Sequence, residues 1–387
     1  MMPLLKRAII PSVFVFSGFA SLFALQHSVK HALNIPDDES TQSHRFSYAV
    51  STLYFGQLIG RFGHHFACAC LGTKRRAIAG SLMMFLSVAS LFIIQTMPKF
   101  QRISLVSVAY FTGGIGLGSF ETNYVSQLSH LGRKTKLFGI LGVPLGIFLV
   151  VVPGYGAIGL GLIRPAFVYF AVALGILLSS IVLATLPCPD QPVHEEESND
   201  EAWSVQLAAR NMEFSGRIGI IEALQDCRFW LKTVTRVGWV FMVNLVIVTC
   251  FSPGVLLYLY GDSVGLNWKI PRDLFFAIFS FFGCFADTWS RRIAYRITEQ
   301  VKPDKFLLLT ALGVLMVASL IPTIAPFGTF LVFMANGSIY AHSCRIIDKN
   351  VDRKFLLAAN SVFFIMGDCG SILGSLMIPW VRDWLHK

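Results

Sequence analysis

Residues 77–94, AIAGSLMMFLSVASLFII, form an apolar run with no charged residue, and comparable runs return along the whole chain between short clusters of charge or turn residues. One such run matches the roughly 20 residues that a helix needs to cross the hydrocarbon of a bilayer. Lipid offers no partner to a backbone N–H or C=O, so a continuous run of this kind satisfies itself as a helix. The chain reads as an all-α integral membrane protein with about eleven transmembrane helices. Their expected limits are approximately 8–33, 44–70, 75–97, 101–129, 134–157, 162–186, 232–260, 271–297, 304–322, 326–348 and 355–384. The longer runs imply tilt or extension beyond the membrane.

Composition agrees. Of 387 residues 54% are hydrophobic and 14% charged, with a mean hydropathy of +0.62. Soluble domains carry about 25% charged residues, so the chain lacks the polar surface to coat a globule. The net charge of +10 does not point to nucleic acid, because Lys and Arg stand in small clusters between apolar runs. The eight cysteines are scattered, with no CxxC pair and no zinc spacing, and read as small buried hydrophobes. No metal or cofactor is expected. The opening MMPLLKRAIIPSVFVFSGFASLFAL, with Lys6 and Arg7 before its apolar stretch, reads as a retained first helix.

The charge clusters set an expected orientation. Alternate connections hold Lys6 and Arg7; Lys74, Arg75 and Arg76; Arg133, Lys134 and Lys136; Arg291, Arg292 and Arg296; and Arg345, Lys349, Arg353 and Lys354. By the positive-inside rule this set faces the cytoplasm, with the amino terminus, and the carboxyl terminus lies on the opposite side. The plasma membrane is the expected location, ahead of an endolysosomal one. The polar stretch Pro187 to Asp226 differs from the rest, with an acidic start and a short amphipathic segment, SVQLAARNMEFSGRIGIIEAL. It divides the chain into a six-helix bundle (1–186), a cytoplasmic linker with a short interfacial helix (187–231) and a five-helix bundle (232–387). That 6+5 plan suggests the repeated architecture of secondary transporters. A channel would show a filter-like loop or rings of charge, and none is seen. An enzyme is not expected either: HSVKH (His27 to His31) comes nearest to a metal site and reads as the polar end of the first helix.

Ionisable groups inside a span cost about 2.5–3.5 kcal/mol each, so they need a partner or a water-filled cavity. The intramembrane polar set comprises Gln26, Lys30, Arg61, Glu121, Asn123, Gln127, Asn244, Asp287, Arg291, Asn336, His342, Asn360 and Asp368. Asp287 and Arg291, in FADTWSRR, are four apart and share a helix face, which lets them pair. Such a pair either anchors the helix or offers hydrogen bonds to a hydroxylated solute. Glu121 follows GGIGLGSF, whose glycines permit close helix approach. A buried carboxylate at Glu121 or Asp368 is a candidate for proton coupling, against a plain structural role.

The second half resembles the equilibrative nucleoside transporters. The residues that carry this are Asp287 and Arg291 after an aromatic-rich run, NLVIVTCFSPGVLLYLYG (Asn244 to Gly261), and FVFMANGSIYAHSCRIIDKN followed by RKFLLAANSVFFIMGDCGSILGSL. In the first half Leu25 stands where that family usually has Trp, and LFGILGVPLGIFLV lacks its Gln. The resemblance implies a major-facilitator-like fold and alternating-access transport of nucleosides or nucleobases, facilitative or weakly proton-coupled. It further implies that Asp287 and Arg291 bind ribose hydroxyls, with Gln26, Asn123 and Gln127 as contacts from the first bundle, in a chain acting as a monomer. The ending LLAANSVFFIMGDCGSILGSLMIPWVRDWL is also similar to the battenin family, and GRFGHHFACACLGTKRR to a loop element of major-facilitator carriers. A carrier of a different small polar solute, or a non-transporting sensor or scaffold, is therefore the alternative.

Overall fold

A computed structural model describes residues 4–35, 41–67, 71–186, 225–250, 272–297, 301–319, 321 and 324–385, and these residues build helices joined by short connections. The helices of the first half are α1 (Leu4–Ala24), α2 (Gln26–Ala32), α3 (Thr41–Ala67), α4 (Thr73–Thr96), α5 (Ile103–His130), α6 (Arg133–Leu149), α7 (Tyr155–Gly159) and α8 (Pro165–Thr185). The second half contributes α9 (Leu231–Thr249), α10 (Arg272–Arg296), α11 (Leu307–Ala318), α12 (Ala325–Asn350) and α13 (Leu356–Leu385). The described residues thus fall into more segments than the expected spans. The first span breaks at Leu25, and a π-helical turn over Val150–Gly154 separates α6 from α7. Pro153 lies in that turn; lacking an N–H, it cannot continue the regular i→i+4 ladder. The amphipathic segment expected near 204–224, Cys68, Cys70 and the end of the seventh span lie outside the described residues.

Among the described residues, seven helices are long and apolar enough to cross a membrane. Their outward faces carry large apolar side chains: Phe167, Phe170, Leu174, Leu178 and Ile181 follow helical spacing along α8 and are all exposed. A water-facing helix would place polar groups on that stripe, whereas lipid leaves apolar groups there at no cost.

The helices assemble into two bundles. In the first, α3 and α4 pack on α5, while α1 packs on α6 and α8. In the second, α9 packs on α13, and α12 lies between α10 and α11. The bundles meet where α13 crosses α3 and α5, and where α10 runs along α6, the π turn and α7. Val125 of α5 and Ile140 of α6 join the apolar core of the second bundle.

Two close helix approaches bring the buried polar groups of each bundle into register. Gly56 and Gly60 on α3 oppose Gly114 and Gly118 on α5, a small-xxx-small stripe on both partners. A Cβ at Gly114 would stand 2.0 Å from the Leu53 carbonyl oxygen, and one at Gly118 would stand 2.2 Å from that of Gln57. Only hydrogen fits, so the two backbones touch and the next turn brings Arg61 against Glu121 and Thr122. Gly337 does the same for α12 and α10: a Cβ there would meet Ser290 Oγ at 2.1 Å and Asp287 Oδ1 at 2.5 Å.

Candidate functional site: a charged network between the bundles

Arg61 of α3 is the centre of the network. Its Nη2 donates to Glu121 Oε2 at 2.7 Å and to Asp368 Oδ1 at 3.1 Å, and its Nη1 donates to Thr122 Oγ1 at 3.3 Å. Arg61 Nε also donates to Asp368 Oδ2, and Gln57 Nε2 donates to Asp368 Oδ1 at 2.9 Å. One guanidinium from the first bundle thus holds a carboxylate of its own bundle and one from α13 of the other.

Asp287 and Arg291 form the pair that their spacing suggests. Arg291 Nη2 donates to Asp287 Oδ2 at 2.9 Å and Nε donates to Oδ1 at 3.2 Å, a two-pronged contact. Asn336 Nδ2 reaches Asp287 Oδ1 at 3.4 Å. Behind it Asn244 Nδ2 donates to Asn336 Oδ1 at 2.8 Å, and the Thr310 hydroxyl donates to Asn244 Oδ1 at 3.0 Å. Arg291 also leaves its bundle, donating from Nη1 to the Ile140 carbonyl of α6 at 3.3 Å.

Tyr340 of α12 joins the two clusters. Its hydroxyl donates to Glu121 Oε1 at 3.2 Å, and the Arg291 guanidinium lies over its ring, 4.2 Å from the centroid. The neighbouring Phe364 ring, 5.9 Å from that of Tyr340, carries Arg61 at 4.7 Å. A desolvated guanidinium over an aromatic face is held by the ring quadrupole. The five charged residues are each less than a tenth exposed. With all of them ionised, three carboxylates face two guanidiniums, and the network is one negative charge in excess.

Other polar ties between the bundles gather at the end bearing the Lys/Arg-rich connections. Lys136 Nζ bonds both oxygens of Asp348, at 2.7 and 2.6 Å. Arg133 Nη2 donates to the Tyr295 carbonyl at 2.6 Å, His65 Nε2 lies 2.8 Å from Ser361 Oγ, and Asn360 Nδ2 donates to Ser126 Oγ at 3.1 Å. Among the described residues, these contacts tie the two bundles together at that end.

The structure brings together Asp287, Arg291, Glu121 and Asp368. The other sequence candidates stand elsewhere. Asn123 is two residues from Glu121 on α5, hence about 200° around the helix at 100° per residue, and bonds the Ser119 carbonyl of its own helix. That side of α5 packs inside the first bundle: Gly116 meets Gly80 and Met84 of α4, and Ser119 bonds the Gly60 carbonyl of α3. Gln127, one turn beyond Asn123, is also fully buried on that side. Gln26 opens α2, and the neighbouring cavity of about 340 Å³, lined by His27, Ser28, His31, Gln95, Tyr155 and Arg164 among others, contains no residue of the network. Three members of the network, Arg61, Gln57 and Tyr340, are not among the residues that the sequence nominates for the site. Charge matching would have found Arg61, a lone cation within a span opposite two otherwise unmatched carboxylates. Tyr340, in a helix rich in aromatic and small residues, carries no such signal.

The profile of the Major Facilitator Superfamily matches residues 8–375. No curated protein matches the sequence. Solved structures of similar fold include the proton:xylose symporter XylE of E. coli bound to 6-bromo-6-deoxy-D-glucose, with TM-score 0.68 and 14% identity over 99% of this chain and 89% of that one. The human organic anion transporter MFSD10 has TM-score 0.64 and 12% identity, covering 100% of this chain and 95% of that one. The E. coli fucose:proton symporter FucP has TM-score 0.58 and 16% identity, covering 99% and 93%. At these identities the likeness is one of fold. With the apolar helices, the two bundles and a family match over most of its length, the chain belongs to the major facilitator superfamily of membrane transporters.

Proposed function

We propose that this chain carries a small hydroxylated solute, with nucleosides or nucleobases the class to test first, by rocking its two bundles about the network between them. The observation that carries the proposal is the buried Asp287–Arg291 pair, linked through Tyr340 to the Glu121 carboxylate of the opposite bundle. A purely structural anchor has no need of a connection to the moving interface. When the bundles part, the carboxylate of Asp287 accepts from solute hydroxyls and the guanidinium of Arg291 donates to them. A site built to bond a hydroxyl discriminates against an analogue lacking it by up to about 10⁴–10⁵-fold. The bundles are 1–186 and 232–387, joined by the segment 187–231. The Lys/Arg-rich end, where the bundles are tied in this conformation, faces the cytoplasm. Alternation then requires the Lys136–Asp348 and Arg133–Tyr295 ties to break as the opposite end closes.

The excess negative charge supports proton coupling. A proton shared by Glu121 and Asp368 around Arg61 would make the network neutral, and a neutral network crosses its midpoint conformation without the cost of an uncompensated buried charge. The test is uptake of radiolabelled adenosine, inosine and uridine by cells expressing the protein, with Asp287→Ala as control. Saturable uptake that is lost in the control, at equal protein in the membrane, supports the assignment. Normal uptake by Asp287→Ala removes the site, and no uptake by the wild type turns the search to other small polar solutes.

A further inference from the structure

We infer that Tyr340 is the residue through which the state of the Glu121 carboxylate is communicated to the solute pair, a coupling role that rests on the transport reading above. The two carboxylates around Arg61 are held unequally. Asp368 receives Arg61 Nε, Arg61 Nη2 and Gln57 Nε2. Glu121 receives Arg61 Nη2 on Oε2, while its Oε1 is held by the neutral hydroxyl of Tyr340. Oε1 is therefore the oxygen to which a proton from the aqueous phase adds with the least disruption. The product is a carboxylic acid whose O–H is itself a donor. The Tyr340 hydroxyl then loses its anionic acceptor, and a charge-assisted bond across the interface becomes a neutral one or breaks.

The other side of Tyr340 completes the link. Its ring is the surface on which Arg291 rests, and Arg291 holds Asp287. Phe241 and Phe363 pack the same ring, at centroid distances of 5.7 and 6.3 Å, so it has little freedom to move alone. A turn of the phenol on losing Glu121 therefore shifts the support beneath Arg291. The titratable and charged groups acting on Tyr340 are Glu121 of α5, Arg61 of α3, Arg291 of α10 and Cys344 on its own helix. Asp368 of α13 acts through Arg61. Tyr340 contacts both Glu121 and Arg291.

Tyr340→Phe tests this, because it keeps the ring under Arg291 and removes only the hydroxyl. Two readouts are needed, one with solute and one without. In vesicles, labelled-uridine counterflow by Tyr340→Phe should stay within about threefold of the wild type, while accumulation driven by a pH gradient should fall about tenfold or more. That is the size of one lost hydrogen bond to a charged group. The pH profile of uptake should flatten as well. Without solute, the thermal destabilisation caused by Tyr340→Phe should be present at neutral and alkaline pH and shrink on acidification. In the Glu121→Gln background it should not vary with pH. Wild-type accumulation and pH profile in Tyr340→Phe would overturn the inference while leaving the transport reading intact, as would a destabilisation independent of pH. Absence of counterflow in the wild type would instead defeat the nucleoside reading, and the solute-free pH dependence would then decide the inference.

Discussion

Arg61→Met is the perturbation that most severely tests the network. Arg61 is 2% exposed and supplies the nearest cation to both Glu121 and Asp368, which are 7% and 4% exposed. Removing one partner of a buried ion pair costs about 3–5 kcal/mol, because the other charge stays buried without compensation. Here two carboxylates are left, so the loss should lie at or above the upper end of that range unless a proton is taken up. Thermal unfolding of the purified protein should register a fall in Tm on the order of 10 °C. The decisive variant is the triple Arg61→Met, Glu121→Gln, Asp368→Asn, which deletes the charges while keeping their approximate shapes. It should recover most of the lost stability, leaving the sum of the single-variant costs about 0.5–3 kcal/mol or more above the measured triple. The Arg61→Met loss should also shrink on acidification. Single costs that simply add, within about 0.5 kcal/mol, would mean that the three side chains are not coupled and the network has no energetic meaning.

Gly114→Ala should destabilise by about 1–3 kcal/mol and reduce transport, because its Cβ would stand 2.0 Å from the Leu53 carbonyl and push Arg61 off Glu121. Gly72→Ala, which meets nothing within 4 Å, is the control and should stay within about 0.5 kcal/mol of the wild type; equal thermal stability of the two variants would refute the close-packing account. Lys136→Gln should loosen the Lys/Arg-rich end, since it removes both bonds to Asp348. Buried Cys344, one turn before Asp348 on α12, should then react faster with a membrane-impermeant maleimide in a background lacking the other cysteines; an unchanged rate would show that this ion pair does not hold the bundles together.

Part of the site was legible because it is local. Asp287 and Arg291 pair across one turn of a single helix, and a spacing of four predicts that directly. Glu121 and Asp368 were legible as costly groups within apolar runs. What joins them was not: Arg61 lies 60 residues from Glu121 and 307 from Asp368 in the chain. Asn123 and Gln127 look equivalent to Glu121 as intramembrane polar residues of one span, yet the helix turns them into the first bundle. In a helix surrounded by other helices or lipid, an apolar stripe no longer marks the inward face, so the pattern leaves the azimuth open.

The sequence by itself determined the class of the protein and its all-helical, multi-span character, because a run of apolar residues in lipid must satisfy its own backbone. It also marked α5 for a close helix approach through the glycines of GGIGLGSF, while the partner, α3, came from the structure. The tertiary structure alone decided which buried charges are partners. Cross-bundle pairs depend on the azimuth and crossing of α3, α5, α12 and α13 together, and no local spacing contains that relation. Arg61 becomes the centre of the network, and Tyr340 its bridge, only when the two bundles are brought face to face.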